Sequence, residues 1–245
     1  MPTGDVNRDR PSILTRRGFG LGALGALAAA ASPVRAQGAD VDLLLVLLND
    51  GSGSIDENEY RLQREGTAGA LERPELLNAI ARLPTRAIAV AYGEWGSPGA
   101  PALILPWTRI GGPEDAEAFA DRLVAAPRQF QSYNAIGDAL AMATDLIRDA
   151  PFRSTRAKID LAGDGPDMRS LMPAPVARDR AVSAGITINA LAIQAEGSGA
   201  AMRARDLRAA YEDTVIGGPG AFVATASDRT DFAYAIFNKL VREIS

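Results

Sequence analysis

Between Leu43 and Leu48 the chain runs through six apolar residues without a polar interruption, and Asp42 and Asn49 bound the run. An apolar segment of that length, too short for a core helix, predicts a strand buried on both faces of a parallel sheet. Five more strands are predicted over 86–92, 102–108, 157–162, 186–193 and 221–226. Helical signals lie between them. Asp56 and Glu59 have the spacing of a capping box, opening a helix that reaches residue 72. Pro74 suits the first turn of a second helix, over 74–83. Further helices are expected over 113–125, 134–148, 175–184, 200–212 and 228–242. The segment 134–148 is the most regular, with Ile136, Ala139, Leu140, Ala143, Leu146 and Ile147 at helical spacing. In 228–242, Phe232, Ile236, Phe237 and Leu240 are directed inward.

Strands alternating with helices predict an α/β fold, a doubly wound, mostly parallel six-stranded sheet with helices on both faces. The segment 102–108 follows 86–92 closely enough to pair as a hairpin, and Pro106 confines it to an edge, which makes it the one antiparallel edge strand. No internal repeat or second domain shows, so residues 37–245 read as a single domain.

Residues 1–36 read differently. Arg16 and Arg17 precede a modest apolar stretch rich in Gly and Ala, and Val34-Arg35-Ala36 has the small-residue pattern of a cleavage site. The segment resembles a twin-arginine export signal, which implies a periplasmic protein with no stable membrane anchor after cleavage. Gly20, Gly22 and Gly25 match the dinucleotide-binding fingerprint by letter, but they follow no predicted strand and do not count as one.

Composition removes whole classes of mechanism. The 245 residues include no cysteine and no histidine, so neither Ser-His-Asp nor Cys-His catalysis can operate. The same absence disfavours zinc and leaves oxygen-ligated metals as the ones with plausible ligands. The whole chain carries a net charge of −4, and without residues 1–36 the balance is −7, which argues against a nucleic-acid partner.

Candidate chemistry gathers where strands end. Asp50, Ser52 and Ser54 alternate with Gly51 and Gly53 after the first strand, so one tight loop can converge a carboxylate and two hydroxyls. Asp164, between Gly163 and Gly165, stands at the end of the fourth. In a doubly wound sheet both fall on the rim where ligands bind. Hard cations such as Mg²⁺ take such oxygens. The bland alternative for Asp50, Ser52 and Ser54 is a turn with a helix cap. Asn134 reads equally as an N-cap or as a ligand. Glu94, after the second strand, reads either as an acceptor supporting the site from behind or as a solvated loop charge, the latter preferred, and Asp160, inside the fourth, is expected to pair with an arginine. Trp95 and Trp107 read as packing residues.

The pattern Asp50-Gly51-Ser52-Gly53-Ser54, the loop at Asn134 and Gly163-Asp164-Gly165 together resemble the metal-ion-dependent adhesion site of von Willebrand factor type A (vWA) domains, over about residues 40–243. Glu94-Trp95 and Trp107 resemble an exported bacterial branch of these domains. The resemblance implies a mostly parallel sheet with one antiparallel edge. It also implies weakly bound Mg²⁺, or Ca²⁺ or Mn²⁺ in its place, on Asp50, Ser52, Ser54 and Asp164. Asn134 stands in the family's threonine position, with Ser132 as the neighbouring substitute. The implied function is a binding module whose metal is completed by an acidic residue of a protein partner. The alternative is a Mg²⁺-dependent hydrolase or phosphoryl-transfer enzyme using Asp50 and Asp164. Arg128 and Arg169 lie near the site in sequence, but no phosphate-cradling loop accompanies them.

Overall fold

A computed structural model of the chain describes residues 38–53, 55–129, 132–193, 204–227 and 231–244. The expected signal over 1–36 lies outside them. Six strands occur where apolar runs predict them: β1 (Leu44–Asp50), β2 (Ile88–Trp95), β3 (Ala102–Ile110), β4 (Ala157–Gly163), β5 (Thr187–Ile193) and β6 (Val223–Ala226). They form one sheet in the order β3-β2-β1-β4-β5-β6. Every neighbouring pair is parallel except β2 and β3. The hairpin strand with Pro106 is the antiparallel edge, where the proline's missing N–H costs no internal ladder bond.

Among the described residues, seven helices cover the sheet: α1 (Glu57–Glu72), α2 (Pro74–Ala81), α3 (Pro113–Ala125), α4 (Ile136–Arg148), α5 (Ala174–Ser183), α6 (Ala204–Thr214) and α7 (Phe232–Ile244). The capping box of α1 forms as predicted. Asp56 Oδ1 accepts from the Glu59 N–H at 2.8 Å, and Glu59 Oε2 from the Asp56 N–H at 2.9 Å. All seven residues of β1 are buried. Its alternate side chains feed two apolar layers. Leu44, Val46 and Leu48 pack with Ile136, Leu140 and Ala177 on the face of α4 and α5. Leu43, Leu45 and Leu47 pack with Leu71, Phe119 and Leu240 on the face of α1, α3 and α7. Strand β1 is therefore enclosed on both faces, which is why its sequence is continuously apolar instead of alternating. No helix among the described residues is long and apolar enough to cross a membrane.

Strand β2 extends to Trp95, three residues past the sequence expectation. Pairing with β1 continues through Asp50 opposite Trp95, and Glu94 is consequently inside the sheet and fully buried. The reading of Glu94 as a solvated charge is thus corrected. Its carboxylate accepts from Tyr60 Oη at 3.0 Å and Arg64 Nε at 2.9 Å, so a paired cation makes the burial possible. Asp160 is corrected likewise, since its partner is Lys239 of α7 and not an arginine.

Candidate functional site

Strand order reverses around β1, because β2 lies on one side of it and β4 on the other. The carboxyl ends of these three strands bound the crevice where doubly wound sheets take ligands. Asp50 ends β1, and the pairing of Asn49 with Ala162 sets Gly163, the end of β4, beside it. Asp164 follows directly, and its N–H lies 3.5 Å from Asp50 Oδ2. Asp50 Oδ1 accepts from the Ser52 N–H at 2.8 Å. Both residues are buried, with Asp50 1 % and Ser52 3 % exposed. The fold therefore brings Asp50, Ser52 and Asp164 to one place, while Ser54 lies outside the described residues.

Burial pushes the Asp50 carboxyl well above the usual carboxylate range, and the neighbouring charge of Asp164 pushes it further. Hydrogen bonds from Ser52 oppose the shift. Two adjoining carboxylates held in low dielectric leave a deficit of positive charge, which a proton or a cation can supply.

Asn134 separates its two readings. The N-cap of α4 is Ala135, with no side-chain cap bond. The Gly137 N–H in the first turn goes instead to Asp167 Oδ1 at 3.2 Å and Ser170 Oγ at 2.9 Å. Asn134 is thus released from capping, and its side-chain Oδ1 is buried with no hydrogen-bond partner. Its amide lies against Gly165. A Cβ added there would fall 2.3 Å from Asn134 Nδ2. Ser132, the substitute, is tied to the end of β2, with its Oγ 3.1 Å from Ser97 Oγ and its N–H on the same oxygen at 3.1 Å.

Three supporting residues escaped the sequence reading. Tyr211 of α6 is fully buried and donates its hydroxyl to the Gly165 carbonyl at 2.8 Å, fixing the loop after Asp164. Burial raises its phenol well above the ordinary value, and the charges of Asp50, Asp164 and Asp167 add to this, so it stays a donor. Asp138 accepts from the N–H groups of Gly99 at 2.8 Å, Leu171 at 3.0 Å and Met172 at 2.9 Å. Asp167 accepts from Gly137, from Ala174 at 3.2 Å, and from the Ser170 hydroxyl. A lone Tyr on an amphipathic helix and an Asp in a helix's first turn are too ordinary to be singled out in advance.

The donor set suits a hard divalent cation, since carboxylate, hydroxyl and amide oxygens are its usual ligands and an unpartnered buried acceptor is satisfied by one. No three Asp, Glu, His or Cys side chains gather as a metal cluster among the described residues. The site therefore offers two carboxylates, and the remaining ligands must be neutral oxygens.

Comparison with known proteins agrees with this reading of the fold. The model of a family described as "Protein of unknown function (DUF1194)" matches residues 40–245. No curated protein matches the chain in sequence. Among solved structures, the pilus adhesin SpaC from Lactobacillus rhamnosus GG is 16% identical with a TM-score of 0.58, over 85% of this chain and 31% of that one. A von Willebrand factor type A protein from Catenulispora acidiphila is 18% identical with a TM-score of 0.55, over 83% and 43%. Proximal thread matrix protein 1 from the mussel byssus, described with a zinc-occupied MIDAS motif, is 13% identical with a TM-score of 0.56, over 84% and 48%. The chain spans between about a third and a half of these proteins. At such identities the likeness establishes the fold, which is that of a vWA domain.

Proposed function

This chain belongs to the DUF1194 family, and we propose from that premise that it is an exported binding module whose rim-bound divalent cation is completed by a carboxylate of a protein partner. Asp50, Ser52, Ser54, Asp164 and the Asn134 amide hold the ion, for which Mg²⁺ is the first candidate. Residues 1–36 direct the chain to the periplasm. The observation that carries the reading is the buried Asn134 Oδ1, an acceptor without a donor beside the Asp164 loop. The pilus adhesin among the similar structures supports a role in protein contact, and the protein with the zinc-occupied MIDAS motif supports a divalent cation.

A binder is favoured over a hydrolase by the state of the nearby arginines. Arg128 is engaged by Glu57 at 3.0 Å and by the Ile55 carbonyl at 2.6 Å, and Arg169 stacks on Tyr133 at 4.7 Å. Arg128 is thereby committed within the fold, and Arg169 by itself is a poor match for a chemistry that needs positive charge fixed on the transferring group.

The test is a Mg²⁺ titration of the protein followed by calorimetry and thermal melting. Binding is weak, on the order of millimolar, because a site with two carboxylates leaves several waters on the ion. At ten times the dissociation constant, linkage gives about 1.4 kcal/mol, or roughly 3 to 5 °C in Tm for a domain of this size. Ser52→Ala abolishes that shift with little change in the metal-free protein. Metal-dependent cleavage of phosphate esters or peptides that disappears in Asp50→Asn or Asp164→Asn would overturn the binding reading and establish the enzyme.

A further inference from the structure

The loop from Asp164 to Pro173 is held unusually tightly for a surface segment. The carboxylates of Asp138 and Asp167 accept five backbone N–H bonds between them, from Gly99, Gly137, Leu171, Met172 and Ala174. The Met168 N–H donates to the Asn134 carbonyl at 2.7 Å, which joins the loop to the candidate metal site. Arg169 takes a left-handed backbone conformation, φ 62°, which a non-glycine residue adopts at a cost. Yet this fixed loop turns apolar side chains to water. Leu171 is 76 % exposed and Met168 47 %, and Tyr133 on the adjoining loop is 39 % exposed. The Arg169 guanidinium lies over the Tyr133 ring, so a cation is set among them. A rigid apolar surface presented without further ordering cost is what recognition uses.

We propose that Met168, Leu171, Tyr133 and Arg169 form the specificity surface for the partner, which presents a metal-binding Glu or Asp within a stretch of aliphatic residues carrying a second carboxylate for Arg169. This rests on the metal-dependent binding reading and names the partner segment that the same site takes. Continuity with Asn134 places the surface beside the metal, and the cation–π pair supplies the complementary charge. Asp138 is the positioning residue. It touches no partner, and fixes Leu171 and Met172 by their N–H groups.

The test uses synthetic twelve-residue peptides with a central Glu, flanked either by Leu and Val or by Ser and Gln, with or without a second Glu, measured against the protein in Mg²⁺ and in EDTA. The Leu/Val peptides bind at least tenfold tighter than the Ser/Gln ones, and the second Glu adds to this. Leu171→Ser removes the preference while leaving the Mg²⁺-induced Tm shift intact, and Arg169→Gln removes the gain from the second Glu. Asp138→Asn weakens the same binding and accelerates hydrogen exchange at the Leu171 N–H, a readout that contact with the partner alone would not move. Equal binding of both peptide classes, or full retention of the preference in Leu171→Ser, overturns the proposal. If the Mg²⁺ shift is present in that case, the metal-site reading stands. If the shift is absent from the unaltered protein, that reading fails on its own.

Discussion

Asp160, in the middle of β4, and Lys239, on α7, meet at 2.5 Å with almost no exposure to solvent. Lys239 also reaches Glu243 Oε1 at 2.8 Å, and Asn189 donates to the same oxygen at 2.7 Å. One ammonium thus faces two carboxyl groups. Asp160 Oδ2 and Glu243 Oε2 are buried without hydrogen-bond partners. A proton kept on Asp160 converts one orphan acceptor into a donor and removes the excess negative charge.

This cluster makes stability depend on pH. Burial first, and the charge of Glu243 second, push the Asp160 carboxyl from 3.8 up to about 8, while Lys239 opposes the shift. Lys158 and Arg156 face the Glu243 carbonyl and do not contact Asp160 through any of these bonds. The folded-state value lies above the unfolded one, so the folded chain keeps a proton that the unfolded chain has lost. The contribution is fully present below pH 3.8 and is lost as pH rises through about 8. Across that window stability falls by at most about 1.4 kcal/mol per pH unit. Urea denaturation between pH 5 and pH 9 reads the slope, and Asp160→Asn flattens it. An unchanged slope in that variant would remove Asp160 as the titrating group.

Glu94 gives the second prediction. Arg64 Nε reaches its carboxylate at 2.9 Å, and Arg64 also donates to the carbonyls of Leu123, Ala126 and Pro127. Glu94→Gln leaves a buried guanidinium without its counter-charge. Losing one partner of a buried pair costs about 3 to 5 kcal/mol. Denaturant titration should show that loss, while a change below about 1 kcal/mol would mean that the carbonyls alone hold Arg64.

These two carboxylates also mark where the sequence stops being legible. The apolar runs of β1 and β5, the Asp56–Glu59 cap and Pro106 at an edge act through neighbours a few residues away, so their patterns can be read directly. So can the convergence of Asp50, Ser52 and Asp164, because strand ends in this sheet share one rim. Glu94 and Asp160 depend on cations 30 and 79 residues distant, Arg64 and Lys239, and no local signal announces such pairs. Asn134 has the composition of an N-cap but loses that role to Asp167 and Ser170, which arrive from a different loop. Nothing in the sequence around 134 reports that arrival.

Export is the third prediction. Residues 16 and 17 are paired arginines, and Val34-Arg35-Ala36 offers a cleavage site after Ala36. Replacing both arginines by lysine should retain the precursor in the cytoplasm. Unchanged appearance of a periplasmic product shortened by 36 residues would remove the twin-arginine route.

The last prediction concerns Asn134 and Gly165. The Gly165 backbone is not left-handed, so alanine is compatible with its conformation. Its Cβ, however, would sit 2.3 Å from Asn134 Nδ2 and 3.3 Å from Cγ, and the amide must turn away. Because the obstruction is the end of a side chain, Gly165→Ala should cost only about 1 kcal/mol in the metal-free protein. Its effect on the Mg²⁺-induced Tm shift should be much larger, since the turned amide no longer presents Oδ1 to the ion. Asn134→Ala makes the complementary test. Deleting an unpartnered buried acceptor is close to neutral for the metal-free fold, but it removes a ligand. Loss of the shift in both variants, with metal-free Tm nearly unchanged, identifies the amide as part of the metal site. Retention of the full shift in both would leave Ser52, Ser54 and the two aspartates to hold the ion without it.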